Sequence, residues 1–334
     1  MKIVLIGSDG QDFLESNMKD IFSELGHDVS IVRFIPSLQL AHLGFASRVS
    51  KVLFKISFIQ NFNEKRIVRS IFKEKAELVV VFTYAANFLT SKSVKEIRGY
   101  GTYICSWFVD ASVNFLPGRL VVAEYNHNYI ADYGLFKSLK DYSWAPMSYL
   151  PEGHHPHRHK IPNENHPGSQ IAMVGTLYST RIVQIKKLMK LGYTFNFYGD
   201  FSNELIGDEL AEITNFYPKV YYEEKSRVFF EALCVLNLPH PSAWNSINCR
   251  VFEVLASGGI LVTPRNEAIL QLLKDRVHAF LYSDFEELLE ILGVIHSGKF
   301  DRRRMIEEMT TLSMTNSLRE RANAILSGVS KTIS

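Results

Sequence analysis

The chain has 334 residues, 46% hydrophobic and 22% charged, and its formal net charge is only +2. This length exceeds what one compact core usually supports and points to two domains, while the composition excludes large-scale disorder. The charge balance lacks the basic surface of a nucleic-acid partner. The three cysteines, Cys105, Cys234 and Cys249, have no metal-ligand or redox spacing and read as reduced core residues of a cytoplasmic protein.

Ile3 to Ile6 is an apolar run too short for a signal peptide; it ends at Gly7-Ser8-Asp9-Gly10 and reads as a strand. Phe13 to Leu25 then repeats apolar positions at helical spacing before Gly26. Gly7 to Gly10 lacks the Lys-Ser/Thr of a P-loop and the glycine spacing of a dinucleotide fingerprint, which argues against ATPase and dehydrogenase readings. Val29 to Phe34 is a second strand, Glu64 to Lys75 a helix, and Leu78 to Phe82 and Thr102 to Phe108 two more strands.

Strands apolar on both faces, alternating with helices, require a parallel sheet covered on both sides. Residues 1–150 therefore read as a Rossmann-like domain. Within it, Leu43 to Phe62 mixes Arg48, Lys51 and Lys55 with many apolar residues. The mixture fits domain core or an acceptor pocket better than an amphipathic membrane contact, since three basic residues face a large apolar mass. No apolar stretch has the length of a spanning helix, so the expected location is the cytoplasm, with at most peripheral contact on the inner membrane face.

Residues 151–168, with a histidine cluster (His154, His155, His157, His159) and several prolines, read as an extended linker without a zinc-site pattern. The strand and helix pattern restarts at Ile171 to Gly175 and continues with a helix from Arg181 to Leu191, a strand from Thr194 to Tyr198, helical Glu224 to Ala232, and a strand from Cys234 to Leu238. Residues 169–310 thus form a second Rossmann-like domain. Residues 311–334 are expected to close the chain as a helix packing back on the first domain. Two such sheets place a cleft between their carboxyl ends, where open α/β sheets bind ligands.

Asn237 to Thr263 reads as strand, polar loop, helix, glycine stop and strand. The helix begins near Ser246 to Asn248, so its free N–H groups and positive dipole end offer a pyrophosphate site, and Arg250 adds a fork of donors. Glu253 leans back toward the helix start, where a ribose diol is a plausible partner. The Arg250 and Glu253 spacing equally fits an ion pair along the helix.

Asn248-Cys249-Arg250-Val251-Phe252-Glu253, followed by Ala256-Ser257-Gly258-Gly259, resembles the glycosyltransferase group 1 families of GT-B enzymes, and most closely the bacterial spore-maturation (CgeB-like) branch. The resemblance extends to Tyr149-Leu150-Pro151, to Ala172 through Tyr178 with Arg181, to Phe197-Tyr198-Gly199, and more loosely to Trp107 through Asp110 and Leu318 through Leu326. It implies an α/β GT-B fold and a glycosyltransferase, hexosyltransferase-like, that moves a sugar from a nucleotide diphosphate-sugar such as a UDP-sugar. The acceptor would be a glycan, lipid-linked or protein hydroxyl, and the setting polysaccharide or glycoconjugate synthesis.

The resemblance also implies site residues. Donor binding falls to Gly175, Thr176, Tyr178, Arg181, Tyr198, Gly199, Asn245, Asn248, Arg250 and Glu253, with Tyr222, in an expected strand Val220-Tyr221-Tyr222, near the base. His240 is implied to contact donor phosphate or sugar, the bland reading being a loop histidine. Asp110 at a strand end is the acceptor-side base or orienting group, or else a helix cap. No Asp-x-Asp pair of the kind a GT-A enzyme uses to hold a metal occurs, so no metal or other cofactor is expected and the helix start with Arg250 must stabilise the leaving diphosphate.

Retaining GT-B enzymes carry two glutamates of which Glu253 matches the second; the first position is Asn245, an amide. Retention is therefore implied only by the resemblance. A nucleotide-sugar epimerase of the same architecture and a catalytically silent subunit that binds a nucleotide-sugar and a partner enzyme are the alternatives.

Overall fold

The computed structural model describes residues 1–33, 57–83, 89–109, 124–141, 145–163, 168–177, 179–199, 215–240, 243, 245–274 and 280–333. The chain divides into two compact units, Met1–Glu152 with Leu318–Ser334, and Gly153–Ser317.

The first unit runs β1 (Lys2–Ile6), α1 (Leu14–Glu24), β2 (Asp28–Val32), α2 (Ser57–Glu74), β3 (Leu78–Thr83), α3 (Ser91–Gly99), β4 (Tyr103–Phe108), β5 (His127–Ile130), α4 (Tyr133–Lys140) and β6 (Met147–Tyr149). Its six strands form one sheet in the order β2-β1-β3-β4-β5-β6, every neighbouring pair parallel. Side chains alternate between two faces along each strand. Ile3, Leu5, Val80 and Trp107 share one buried cluster with Phe22 of α1, while Val4, Ile6, Val79 and Val81 share another with Ile67 of α2 and Ile97 of α3. This two-sided burial is why β1 and β3 read as continuous apolar runs rather than alternating ones.

The chain returns to this unit as α11 (Leu318–Ile333), whose Leu318, Ala322, Ile325 and Val329 join the face containing α1. Arg321, 7% exposed, donates from Nε to the carbonyls of Pro151 at 2.9 Å and Glu152 at 3.2 Å. Arg321→Met is expected to lower stability by about 2 kcal/mol by leaving these carbonyls without that donor. The reading is a fall in the urea midpoint; an unchanged midpoint contradicts it.

The second unit runs β7 (Ile171–Val174), α5 (Ser179–Lys190), β8 (Phe195–Tyr198), β9 (Asn215–Tyr217), α6 (Tyr222–Glu231), β10 (Cys234–Leu236), α7 (Cys249–Ala256), β11 (Leu261–Pro264), α8 (Glu267–Leu273), β12 (Phe280–Tyr282), α9 (Phe285–His296) and α10 (Arg302–Met314). Its sheet is also parallel, ordered β12-β11-β10-β7-β8-β9. Counted within the unit this is 6-5-4-1-2-3, the Rossmann strand order, and the order reverses between β7 and β10. The loops after β7 and β10 therefore meet at the carboxyl-end switch point, where such sheets take ligands. No described helix is long and apolar enough to cross a membrane.

Three expectations are corrected. The segment expected to be an extended linker is built into the second unit from Gly153 onward, with His154, His155 and His159 all buried. Imidazole nitrogens close its turns: His155 Nδ1 accepts from the His157 amide at 3.3 Å and His159 Nδ1 from the His155 amide at 3.2 Å. The expected strand at Val220 to Tyr222 is instead the end of a loop and the first residue of α6, β9 having ended at Tyr217; Tyr222 stands at φ +52°, which breaks any extended run. Cys105 and Cys234 are buried, burial pushing the Cys234 thiol up to about 12, but Cys249 is only half-buried because it occupies the first turn of α7.

Candidate functional site

The start of α7 is fixed by amides. Asn248 caps the helix, its Oδ1 accepting from the Val251 amide at 3.4 Å. The same side chain donates to Asn237 Oδ1 at 3.1 Å, and Asn237 donates to Thr263 Oγ1 at 3.0 Å. Asn237 directly follows β10 and Thr263 lies in β11, so the cap ties the positive end of α7 to the carboxyl edge of the sheet.

Beside it the loop after β7 turns at Gly175, with φ +130°, a backbone state that strongly favours glycine. The Gly175 amide donates to the Tyr198 carbonyl at 2.9 Å, drawing the ends of β7 and β8 together. A Cβ on Gly199 would lie 1.9 Å from the Gly175 carbonyl oxygen. Gly199→Ala is therefore expected to displace the Gly175 turn and to cost about 3 kcal/mol. Thermal unfolding checks it, and a variant as stable as the parent would refute the close approach.

Two guanidinium groups converge on the bare face of Gly175. A Cβ there would stand 3.5 Å from Arg181 Nη1 and 3.8 Å from Arg250 Nη2. Arg181 bridges the two switch-point loops, donating from Nε to the Leu238 carbonyl at 2.6 Å and from Nη1 to the Thr176 carbonyl. Arg250 lies 5.4 Å over the Phe229 ring and donates from Nη1 to Glu253 Oε2 at 2.6 Å.

Glu253 does not face outward as the sequence suggested. It is 4% exposed, and its other oxygen, Oε1, accepts from Lys225 Nζ at 2.7 Å. His159 Nε2 stands 3.7 Å from the same oxygen. Since His159 Nδ1 is an acceptor, the neutral ring carries its proton on Nε2, facing the carboxylate. Burial alone would push the Glu253 carboxyl up, but Lys225 and Arg250, with His159 behind them, hold it well below the usual carboxylate range. Burial pushes the His159 imidazole well below 6.5 against the raising field of Glu253. The ion pair that the spacing allowed does form, at i,i+3, but inside the unit rather than on its surface.

The structure thus brings together Gly175, Thr176, Arg181, Tyr198, Gly199, Asn248, Arg250 and Glu253. Tyr198 stacks on Tyr217 at 4.8 Å between ring centres, at the outer end of this edge. Asn245 is engaged elsewhere: its Oδ1 accepts from the Ala268 amide at 3.2 Å and its Nδ2 donates to Glu267 at 3.4 Å, fastening it to the start of α8. Tyr222 sits under the Arg158 guanidinium at 4.0 Å, on the α6 side. His240 is exposed and its carbonyl closes a turn with the Ala243 amide at 2.8 Å. Asp110, Tyr178 and residues 43–56 lie outside the described residues.

Lys225 and His159 are the members of this cluster that sequence reasoning missed. Lys225 precedes Glu253 by 28 positions, on another helix, and no local spacing signals the pair.

Residues 181–327 match the family model described as glycosyl transferase-like. No curated protein sequence matches the chain significantly. Among solved structures, a glycosyltransferase from Rickettsia africae superposes with a TM-score of 0.69 at 12% identity, covering 100% of this chain and 98% of that one. The α,α-trehalose 6-phosphate synthase of Burkholderia multivorans superposes at 0.66 and 11% identity, over 99% and 96% of the two chains. The T4 phage β-glucosyltransferase, in complex with its UDP-glucose substrate, gives 0.54 and 14% identity, over 99% and 98%. With its two parallel six-stranded sheets, the chain has the α/β architecture of GT-B proteins.

Proposed function

We propose that the chain is a glycosyltransferase that binds a nucleotide diphosphate-sugar at the β7/β10 switch point and transfers the sugar to an acceptor hydroxyl in cell-surface glycan or glycoconjugate synthesis. The observation that carries this reading is the convergence of Arg181 and Arg250 on the bare face of Gly175, beside the capped start of α7. A diphosphate leaving group develops charge as the glycosidic bond breaks, and fixed guanidinium donors with a helix dipole stabilise that charge. Such a site supplies positive charge without a metal ion, so transfer should persist in EDTA. The family match over residues 181–327 and the UDP-glucose complex of the T4 phage protein support a nucleotide-sugar, with uridine as the first base to test.

The acceptor side belongs to the first unit in this reading, with Asp110 as base or orienting group, and a retained anomeric configuration is the expected stereochemistry. Thermal shift with UDP, GDP, ADP and dTDP in EDTA is the first experiment. One of them should raise the melting temperature, since a ligand of the native state stabilises it; a flat response across the panel contradicts the reading. Donor hydrolysis or transfer followed by NMR of the product then separates retention from inversion.

One observation favours a second reading. Asn245, the amide where retaining relatives carry a carboxylate, is bound to the start of α8. A catalytically silent, nucleotide-sugar-binding subunit predicts a thermal shift with no hydrolysis or transfer.

A further inference from the structure

Lys225 is 5% exposed and lies on α6, the helix that packs beside α7. A buried ammonium carries a large desolvation cost unless it is paired. Its pairing with Glu253 at 2.7 Å meets that need, but a lysine and glutamate buried for stability alone could be replaced by apolar residues of similar volume with little loss. What distinguishes this pair is the third member: the second carboxylate oxygen holds Arg250 Nη1 at 2.6 Å, while Arg250 Nη2 is turned to Gly175.

We infer that Lys225 is a positioning residue, which fixes the Glu253 carboxylate and through it aims the Arg250 guanidinium at the bare face of Gly175. The carboxylate is clamped between two cations on two helices, so it cannot swing without breaking the Lys225 bond. Arg250, whose side chain is 17% exposed, is the member of the chain that meets a ligand. His159 Nε2 stands 3.7 Å from the same carboxylate oxygen that Lys225 holds. Glu253 in this arrangement acts as the anchor of Arg250, and a ribose contact from it would require one of its two cations to let go.

This inference rests on the donor-site reading, and its test separates the two. Binding of the tightest of UDP, GDP, ADP and dTDP is measured by calorimetry for the full chain and for Lys225→Met, Lys225→Arg, Glu253→Gln and Lys225→Met/Glu253→Gln, with the melting temperature of each. Lys225→Met should weaken binding at least tenfold, and Lys225→Arg should recover most of it. The double variant removes both buried charges, so its melting temperature should lie above that of Lys225→Met while its affinity stays at least tenfold down. Lys225→Met should add nothing to the loss already caused by Glu253→Gln, the mark of two residues acting through one path.

Parent-like affinity in a folded Lys225→Met protein overturns the inference. So does a double variant that regains affinity together with stability, which is what a purely structural pair predicts. If the unmodified chain binds none of the four nucleotides, the donor-site reading itself fails and carries the inference with it.

Discussion

Replacing Arg250 with alanine is expected to reduce nucleoside diphosphate affinity and sugar transfer by on the order of 10²-fold, the usual cost of removing one preorganised donor from a developing anion. Arg250 is partly exposed, with Nη2 3.8 Å from where a Cβ on Gly175 would stand. Its planar fork can give one edge to Glu253 and another to a phosphate, which a single ammonium cannot do. Arg250→Lys should therefore recover only part of the loss. Folding should survive both changes, because Glu253 keeps Lys225 as its partner. Isothermal titration with the melting temperature of each variant checks this; an alanine variant that folds and binds as the parent does would falsify the assignment of Arg250 to the site.

The second large effect is on stability and its dependence on pH. Glu253→Gln removes the negative charge between two cations, one of them the buried Lys225, and should cost about 3–5 kcal/mol at pH 7. The folded-state carboxyl is held below its ordinary value, so its contribution is fully present above the unfolded pKa of about 4.3 and is lost as pH falls below it. The gap between parent and Glu253→Gln should be constant from pH 7 to about 5 and should close below that. His159 acts separately: its folded imidazole is held below 6.5, so protons favour the unfolded chain as pH falls through about 6.5, in both proteins. Urea midpoints at pH 7, 5.5, 4 and 3 separate the two contributions. A gap that widens on acidification would mean that Glu253 is not held ionised by its neighbours.

Much of the architecture could be read from the chain because its information is local. Ile3 to Ile6 and Leu78 to Phe82 are apolar without alternation, which only a sheet covered on both faces permits, and both are central strands. The start of α7 was legible because Asn248 is a capping residue placed before an apolar helix, and it does cap. Short edge strands gave no such signal: β9 is only Asn215–Tyr217, and the aromatic run after it was mistaken for the strand. The linker misreading has a similar cause. A histidine- and proline-rich segment looks solvated, yet His155 and His159 use ring nitrogens to accept backbone N–H groups and so can be buried.

In the site, the residue types were legible and their orientations were not. Arg250 and Glu253 at i,i+3 allowed either a ligand-facing pair or an ion pair, and the choice was made by Lys225, a residue on a different helix. Asn245 was placed with the donor residues because it stands where retaining GT-B enzymes carry their first glutamate, but a hydrogen bond from the Ala268 amide draws it to α8 instead. Long-range pairing of this kind leaves no period in the sequence.

In the proposed function the β7/β10 switch point of the second unit takes the diphosphate of an activated sugar. A crystal structure of the chain with the tightest-binding nucleoside diphosphate tests it most directly. Diphosphate oxygens should lie over Gly175, within hydrogen-bonding distance of Arg250 and the first amides of α7, with Lys225 still bound to Glu253. A diphosphate seated away from that edge of the sheet, with Arg250 making no contact to it, would rule out this donor site.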